Sequence, residues 1–136
     1  MARYQNLERL LVFKLGGGEV PLPPPAIESE QYDIPSGLPT DPDIIALGKE
    51  KYASYCTQCH IPRSTLSGFP RLWNMSPNVQ TSFDSIVLEG AFAHAGMASF
   101  ADVLTPEDTL AIRAYIAEDR RALESGREET QRIDQH

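Results

Sequence analysis

Both cysteines of the chain stand in one pentapeptide, Cys56-Thr57-Gln58-Cys59-His60. On a helix, positions i, i+3 and i+4 share a face, so this spacing aims two sulfurs and an imidazole at one object. Two thiols so placed can add to the two vinyl groups of a haem while the histidine that follows ligates the iron, the chemistry of a C-x-x-C-H run. Two other uses of a Cys-x-x-Cys pair set different demands. A thioredoxin-like redox pair calls for a strand–helix–strand setting, which the surrounding pattern lacks, and a zinc site needs further sulfur or nitrogen ligands at short spacing.

An electron-carrying haem takes a second axial group, and a thioether there raises the potential by favouring ferrous iron. Met1, Met75 and Met97 are the methionines available. Met97 lies in the small-residue run Ala95-Gly96-Met97-Ala98-Ser99-Phe100, where Gly96 and Ala98 let the backbone come close to a porphyrin. Met75 follows His60 too closely to wrap easily onto the far face of the ring. His94 is the other rival and would make a bis-His, lower-potential centre.

The elements that must hold these groups read as helices. Asp41 is an N-cap with Pro42 in the first turn, and Ile44, Gly48, Tyr52 and Cys56 follow at intervals of four, so the helix runs into the cysteines. A short helix is predicted over Ser82 to Leu88, with Phe83, Ile86 and Val87 inward and Gly90 as its stop. Thr105-Pro106-Glu107-Asp108 opens a last helix, predicted to run to about Leu123 with Leu110, Ala111, Ala114 and Tyr115 as its apolar stripe. No strand is predicted within residues 43–123, and the fold class is all-α. Ahead of it, residues 1–15 end in an apolar run, Leu10 to Leu15, that suits one strand, and residues 16–42 form an extended linker rich in proline. Residues 124–136 read as a polar tail.

Twelve basic against nineteen acidic residues give a charge of -7, with no Lys/Arg cluster that could track phosphates, so nucleic acid is excluded as a partner. No apolar run is long enough to span a bilayer. Met1 to Lys14 has no small-residue cleavage site behind it, so any export signal is expected to lie outside this sequence.

Gly48 and Tyr52, the Cys56–His60 run, Pro70-Arg71-Leu72, Gly96-Met97 and Tyr115 together resemble the class I cytochrome c family. The resemblance implies three to five helices around one covalent haem c over residues 43–123, with His60 and Met97 on the iron. It further implies that the first and last helices cross where Gly48 meets Tyr115. It makes Pro70, or Pro62 in its place, the source of a carbonyl for the ligand histidine, a partner that metal-bound imidazoles generally have. Leu72, Trp73 and Phe100 would join Pro70, Arg71 and Met97 around the ring.

A narrower resemblance is to the C-terminal cytochrome domain of quinohaemoprotein alcohol dehydrogenases, which carry pyrroloquinoline quinone (PQQ) in a β-propeller. Its carriers are Ile86-Val87-Leu88-Glu89-Gly90-Ala91, Gly96 through Thr105, Ala111 through Ile116, and Glu8 through Leu15 as a closing propeller strand. That family commonly has Pro-Asp-Leu-Arg where this chain has Pro70-Arg71-Leu72-Trp73, so Arg71 or the Trp73 indole would take over contacts to the haem propionates. The resemblance implies a domain without catalytic chemistry of its own. It would take single electrons from the PQQ domain of the parent chain and pass them to another cytochrome or the respiratory chain in a bacterial periplasm. An independent, diffusing periplasmic cytochrome is the alternative. Catalysis at an open haem, as in a peroxidase, is opposed by Met97.

Overall fold

A computed structural model describes residues 14–18, 30–61 and 69–133, the side chains of 127–133 excepted. Among these residues there are four α-helices and no strand: α1 (Pro42–Tyr55), α2 (Pro77–Thr81), α3 (Phe83–Val87) and α4 (Pro106–Ile133), with single 3-10 turns at Leu72–Asn74 and Ala93–Ala95.

Local chemistry explains the ends of the two long helices. The Asp41 carboxylate accepts from the N–H groups of Asp43 (2.9 Å) and Ile44 (3.3 Å), two donors left over at the start of α1. At α4 the capping is reciprocal: Asp108 N–H donates to Thr105 Oγ1 (3.3 Å) while Thr105 N–H donates to Asp108 Oδ2 (3.0 Å). Lys51 Nζ, in the last turns of α1, meets Asp108 Oδ1 at 3.2 Å and ties the cysteine end of α1 to the start of α4.

α1 and α4 cross at Gly48, where an added Cβ would overlap the Ala111 carbonyl and sit 3.0 Å from Ile112 N. Glycine is required here by backbone contact. The Ala111–Ile112 backbone is what an added Cβ at Gly48 would meet first, and Tyr115, the aromatic expected at the crossing, pairs with Tyr52, ring centroids 5.4 Å apart. The crossing organises one core of Tyr52, Met75, Phe83, Val87, Leu104, Ile112 and Ile116. Thr109 is fully buried and donates to Asp84 Oδ1 at 2.6 Å, fastening α4 to α3.

Three element boundaries differ from expectation. The predicted Ser82–Leu88 helix is α3, Phe83–Val87, preceded by the unpredicted α2, whose Ser76 cap accepts from Val79 N. α4 passes Leu123 and continues to Ile133, because ion pairs such as Arg120–Glu124 (2.8 Å) let polar residues extend a helix that is already nucleated. Residues 30–41, the end of the proline-rich segment, lie on the helical body: Asn74 Nδ2 donates to Glu30 O (2.7 Å) and Tyr32 N–H donates to Asn74 Oδ1 (3.0 Å). Residues 1–13, which hold most of the predicted strand, lie outside the described residues, and Lys14–Gly17 form a turn closed by Gly17 N–H on Lys14 O (3.0 Å).

Candidate functional site

The Cys56–His60 run is the turn that ends α1. Cys56 N–H and Thr57 N–H both donate to Tyr52 O (2.9 and 3.2 Å), and Cys59 N–H and His60 N–H both donate to Cys56 O (3.3 and 2.8 Å). The helical coil therefore continues through the motif for one more turn, which keeps Cys56, Cys59 and His60 on one side. The thiols are not bonded to each other; Cys59 is exposed and Cys56 half-buried. Burial pushes the Cys56 thiol up to about 11.

His60 Nδ1 lies 2.9 Å from the Pro70 carbonyl, and the Phe69 ring meets the imidazole edge-on at 6.1 Å. With Nδ1 carrying the proton that this carbonyl accepts, Nε2 is the nitrogen left with a lone pair for a metal. A small hollow is walled by His60, Phe69, Pro70, Arg71, Leu72 and Trp73. Beyond Pro70 and Arg71 the surface opens into a cleft of about 340 Å³ that Leu72, Asn74, Met75 and Val79 also line and Tyr32 borders.

Met97 follows the 3-10 turn at Ala93–Ala95 and Gly96, whose φ of +91° reverses the chain. Its loop is pinned to the end of α3 by Phe100 N–H on Val87 O (2.8 Å) and by the Ser99 hydroxyl on Leu88 O. Met97, Phe100, Leu72, Trp73 and Cys56 are all half-buried against the same hydrophobic core, and the Phe100 ring meets Tyr55 at 6.3 Å. Met75, at 6% exposed, is a member of that core, whereas His94 is exposed beside Phe92.

Two thiols, one imidazole with its orientation fixed, and a thioether on a pinned loop form a donor set that suits a covalently held haem. Among the described residues no group of three or more His, Cys, Asp or Glu side chains is placed to hold a metal ion.

Comparison with known proteins yields no matching family model. Individual relatives do match. The chain is 37% identical over 115 residues to quinohemoprotein alcohol dehydrogenase ADH IIB of Pseudomonas putida, covering 82% of this chain and 16% of that enzyme. It is 32% identical over 117 residues to ADH-IIG of the same species, covering 85% of this chain and 16% of that one. The solved structure of ADHIIG from Pseudomonas putida HK5 superposes with a TM-score of 0.66 at 30% identity, over 79% of this chain and 16% of the other. This chain belongs to the cytochrome c domains of quinohaemoprotein alcohol dehydrogenases. Its all-α architecture is the class I cytochrome c fold. The 1-butanol dehydrogenase (cytochrome c) of Thauera butanivorans is a further relative, 33% identical over 107 residues that cover 76% of this chain and 15% of that protein. The cytochrome domain thus spans about a sixth of the length of the relatives it matches.

Three contacts of this cytochrome domain were not read from its sequence. The Tyr52 hydroxyl donates to His60 O at 2.6 Å, Phe69 stands against His60, and Asn74 holds residues 30 and 32. Tyr52 had a signal, since it sits one turn before Cys56 on the same face of α1. Asn74 had none, because nothing local marks its partners 42 and 44 residues away.

Proposed function

We propose that this domain is a one-electron carrier: Cys56 and Cys59 hold a haem c through two thioether bonds, and His60 and Met97 are its axial ligands. The observation that carries the reading is the 2.9 Å contact of His60 Nδ1 with the Pro70 carbonyl at the end of a C-x-x-C-H turn. When bound, the haem supplies reversible one-electron exchange at its iron. The chain's own residues do the rest. The Pro70 carbonyl keeps the proton on Nδ1 and so fixes ring orientation and ligand basicity. The pinned loop presents the Met97 sulfur, whose softness favours ferrous iron, and the core around Leu72, Trp73 and Phe100 supplies a low-dielectric wall.

In this reading the donor is the PQQ dehydrogenase domain of the same parent chain, the acceptor is another cytochrome or a respiratory-chain component, and the compartment is the periplasm. Support for a fused domain comes from the match to ADH IIB: at 115 residues it is longer than the stretch from Pro42 to Ile133, so it takes in part of the proline-rich segment. The parent's activity on alcohols is carried over from the relatives' names and is part of the proposal.

The test is acid–acetone extraction followed by a pyridine haemochrome spectrum of the chain matured in a periplasm. Haem that stays with the protein and a chain with no free thiol are the expected result. Haem that extracts freely overturns the proposal.

A further inference from the structure

Tyr52 grips the Cys56–His60 turn at both ends. Its backbone carbonyl accepts from Cys56 N–H and Thr57 N–H at 2.9 and 3.2 Å, and its hydroxyl donates to the His60 carbonyl at 2.6 Å. We propose that Tyr52 is a positioning residue for the iron ligand: by holding the His60 carbonyl it fixes the backbone from which the imidazole projects. The proposal rests on the reading that this chain carries haem with His60 on the iron.

The geometry supports it in two ways. First, the bond spans the whole motif, since it ties His60, the last residue of the turn, to a helix residue eight positions back. Second, Tyr52 is itself immobilised. It is 4% exposed, lies four residues past the backbone contact at Gly48, and its ring pairs with Tyr115 of α4 at 5.4 Å and 57°. Its hydroxyl has no freedom to wander, and losing its acceptor would leave a polar group uncompensated in an apolar setting.

His60 is then held at two independent points. The Pro70 carbonyl sets the ring's rotation through Nδ1, and the Tyr52 hydroxyl sets the height and tilt of the backbone beneath it. An imidazole held by Nδ1 alone could still move along the iron–nitrogen direction with its own backbone. The second anchor removes that motion, and it does so from a buried side chain one turn from the α1–α4 crossing.

The test compares haem-loaded wild-type chain with Tyr52→Phe, which keeps the ring and deletes only the hydroxyl, and with Ile112→Val, which trims the same crossing without touching the turn. Intact mass reports covalent haem, and proton NMR of the ferric protein reports the hyperfine-shifted resonances of the His60 ring. Amide exchange reports the Cys56–His60 turn. Tyr52→Phe should retain haem, move the His60 resonances and speed exchange in the turn about tenfold. Ile112→Val should melt earlier with His60 signals and turn exchange as in wild type. Should Tyr52→Phe mature poorly, the wild-type protein decides alone: the Tyr52 hydroxyl proton must appear as a slowly exchanging resonance close to His60. Coincident His60 signals and turn exchange in Tyr52→Phe and wild type, or a freely exchanging Tyr52 hydroxyl, overturn the positioning role while leaving the haem reading intact. A wild-type mass without haem overturns both.

Discussion

Replacing Gly48 by alanine should destabilise the domain, against the usual trend for a helix interior. On an open helix the change gains roughly 1 kcal/mol, since glycine loses more backbone freedom on folding. Here the new methyl would overlap the Ala111 carbonyl and lie 3.0 Å from Ile112 N, both backbone atoms of α4 that cannot swing aside as a side chain would. The helices must part by about 1 Å or more, which loosens Tyr52 and Ile112 on either side of the contact. Overpacking of this kind costs up to about 3 kcal/mol, so the net loss is about 2 kcal/mol, or a fall in Tm on the order of 10 °C for a domain of this size. The assay is thermal and urea unfolding of the haem-loaded chain by far-UV circular dichroism, with Ala46→Gly on the exposed face of α1 as the control for propensity alone. A Gly48→Ala protein that melts at or above wild type would falsify the claim that α1 and α4 touch through their backbones.

Three further outcomes follow from the same structure. Met97→Ala should abolish the weak far-red band of Met-ligated ferric haem and lower the midpoint potential, whereas Met75→Ala, emptying a core site only 6% exposed, should cost about 2–5 kcal/mol of stability and keep the band; the reverse pattern would make Met75 the ligand. Thr105 N–H holds the Asp108 carboxyl below its ordinary value, with Lys51 acting in the same direction and burial opposing both. A depressed carboxyl adds stability that is complete above the unfolded pKa of about 3.9 and disappears as pH falls through the lower folded value. The urea-unfolding gap between wild type and Asp108→Asn should therefore be full at about pH 5 and narrow as pH falls below about 3.9, and a gap that does not change on that acidification would remove the carboxylate from the account. Deleting residues 1–29 should leave spectrum and stability unchanged. Deleting 1–40 should lower stability, because Ile34 and Pro35 line a hollow with Leu72, Trp73 and Ile116; equal melting of the two truncations would show that this contact contributes nothing.

What could be read from the sequence was whatever depends on local spacing. The caps at Asp41 and Thr105, the face shared by Gly48, Tyr52 and Cys56, and the small-residue run around Met97 each lie within a few residues, where helix geometry and turn chemistry act. The end of α4 escaped because composition alone does not separate a solvated helix from a solvated tail; ion pairs three and four residues apart decide it, as Arg121–Glu118 and Arg120–Glu124 do here. The backbone contact at Gly48 escaped for another reason. A glycine at a helix crossing announces close approach, but whether a ring or a peptide fills the gap depends on the crossing's register. Asn74 is the extreme case, since both its amide bonds reach back more than forty residues.

Those two amide bonds also decide where mechanical load would enter the domain. Asn74 takes Tyr32 N–H and gives to Glu30 O as the edge of a neighbouring strand would, so residues 30–32 are clasped in shear. A pull along the chain from the amino-terminal side meets that clasp, and then Ile34 and Pro35 seated beside Trp73, before it can reach the Asp41 cap. The first turn of α1, which leads to the cysteines, is thereby shielded from tension. In the proposed parent enzyme the leash between propeller and haem domain would shorten accordingly. Counted from Gly16 to Ser29, it can bridge at most about 50 Å fully extended, where a leash running on to Asp41 could bridge about 90 Å. A domain grafted onto another dehydrogenase should therefore be cut ahead of Glu30, leaving its own strain relief in place.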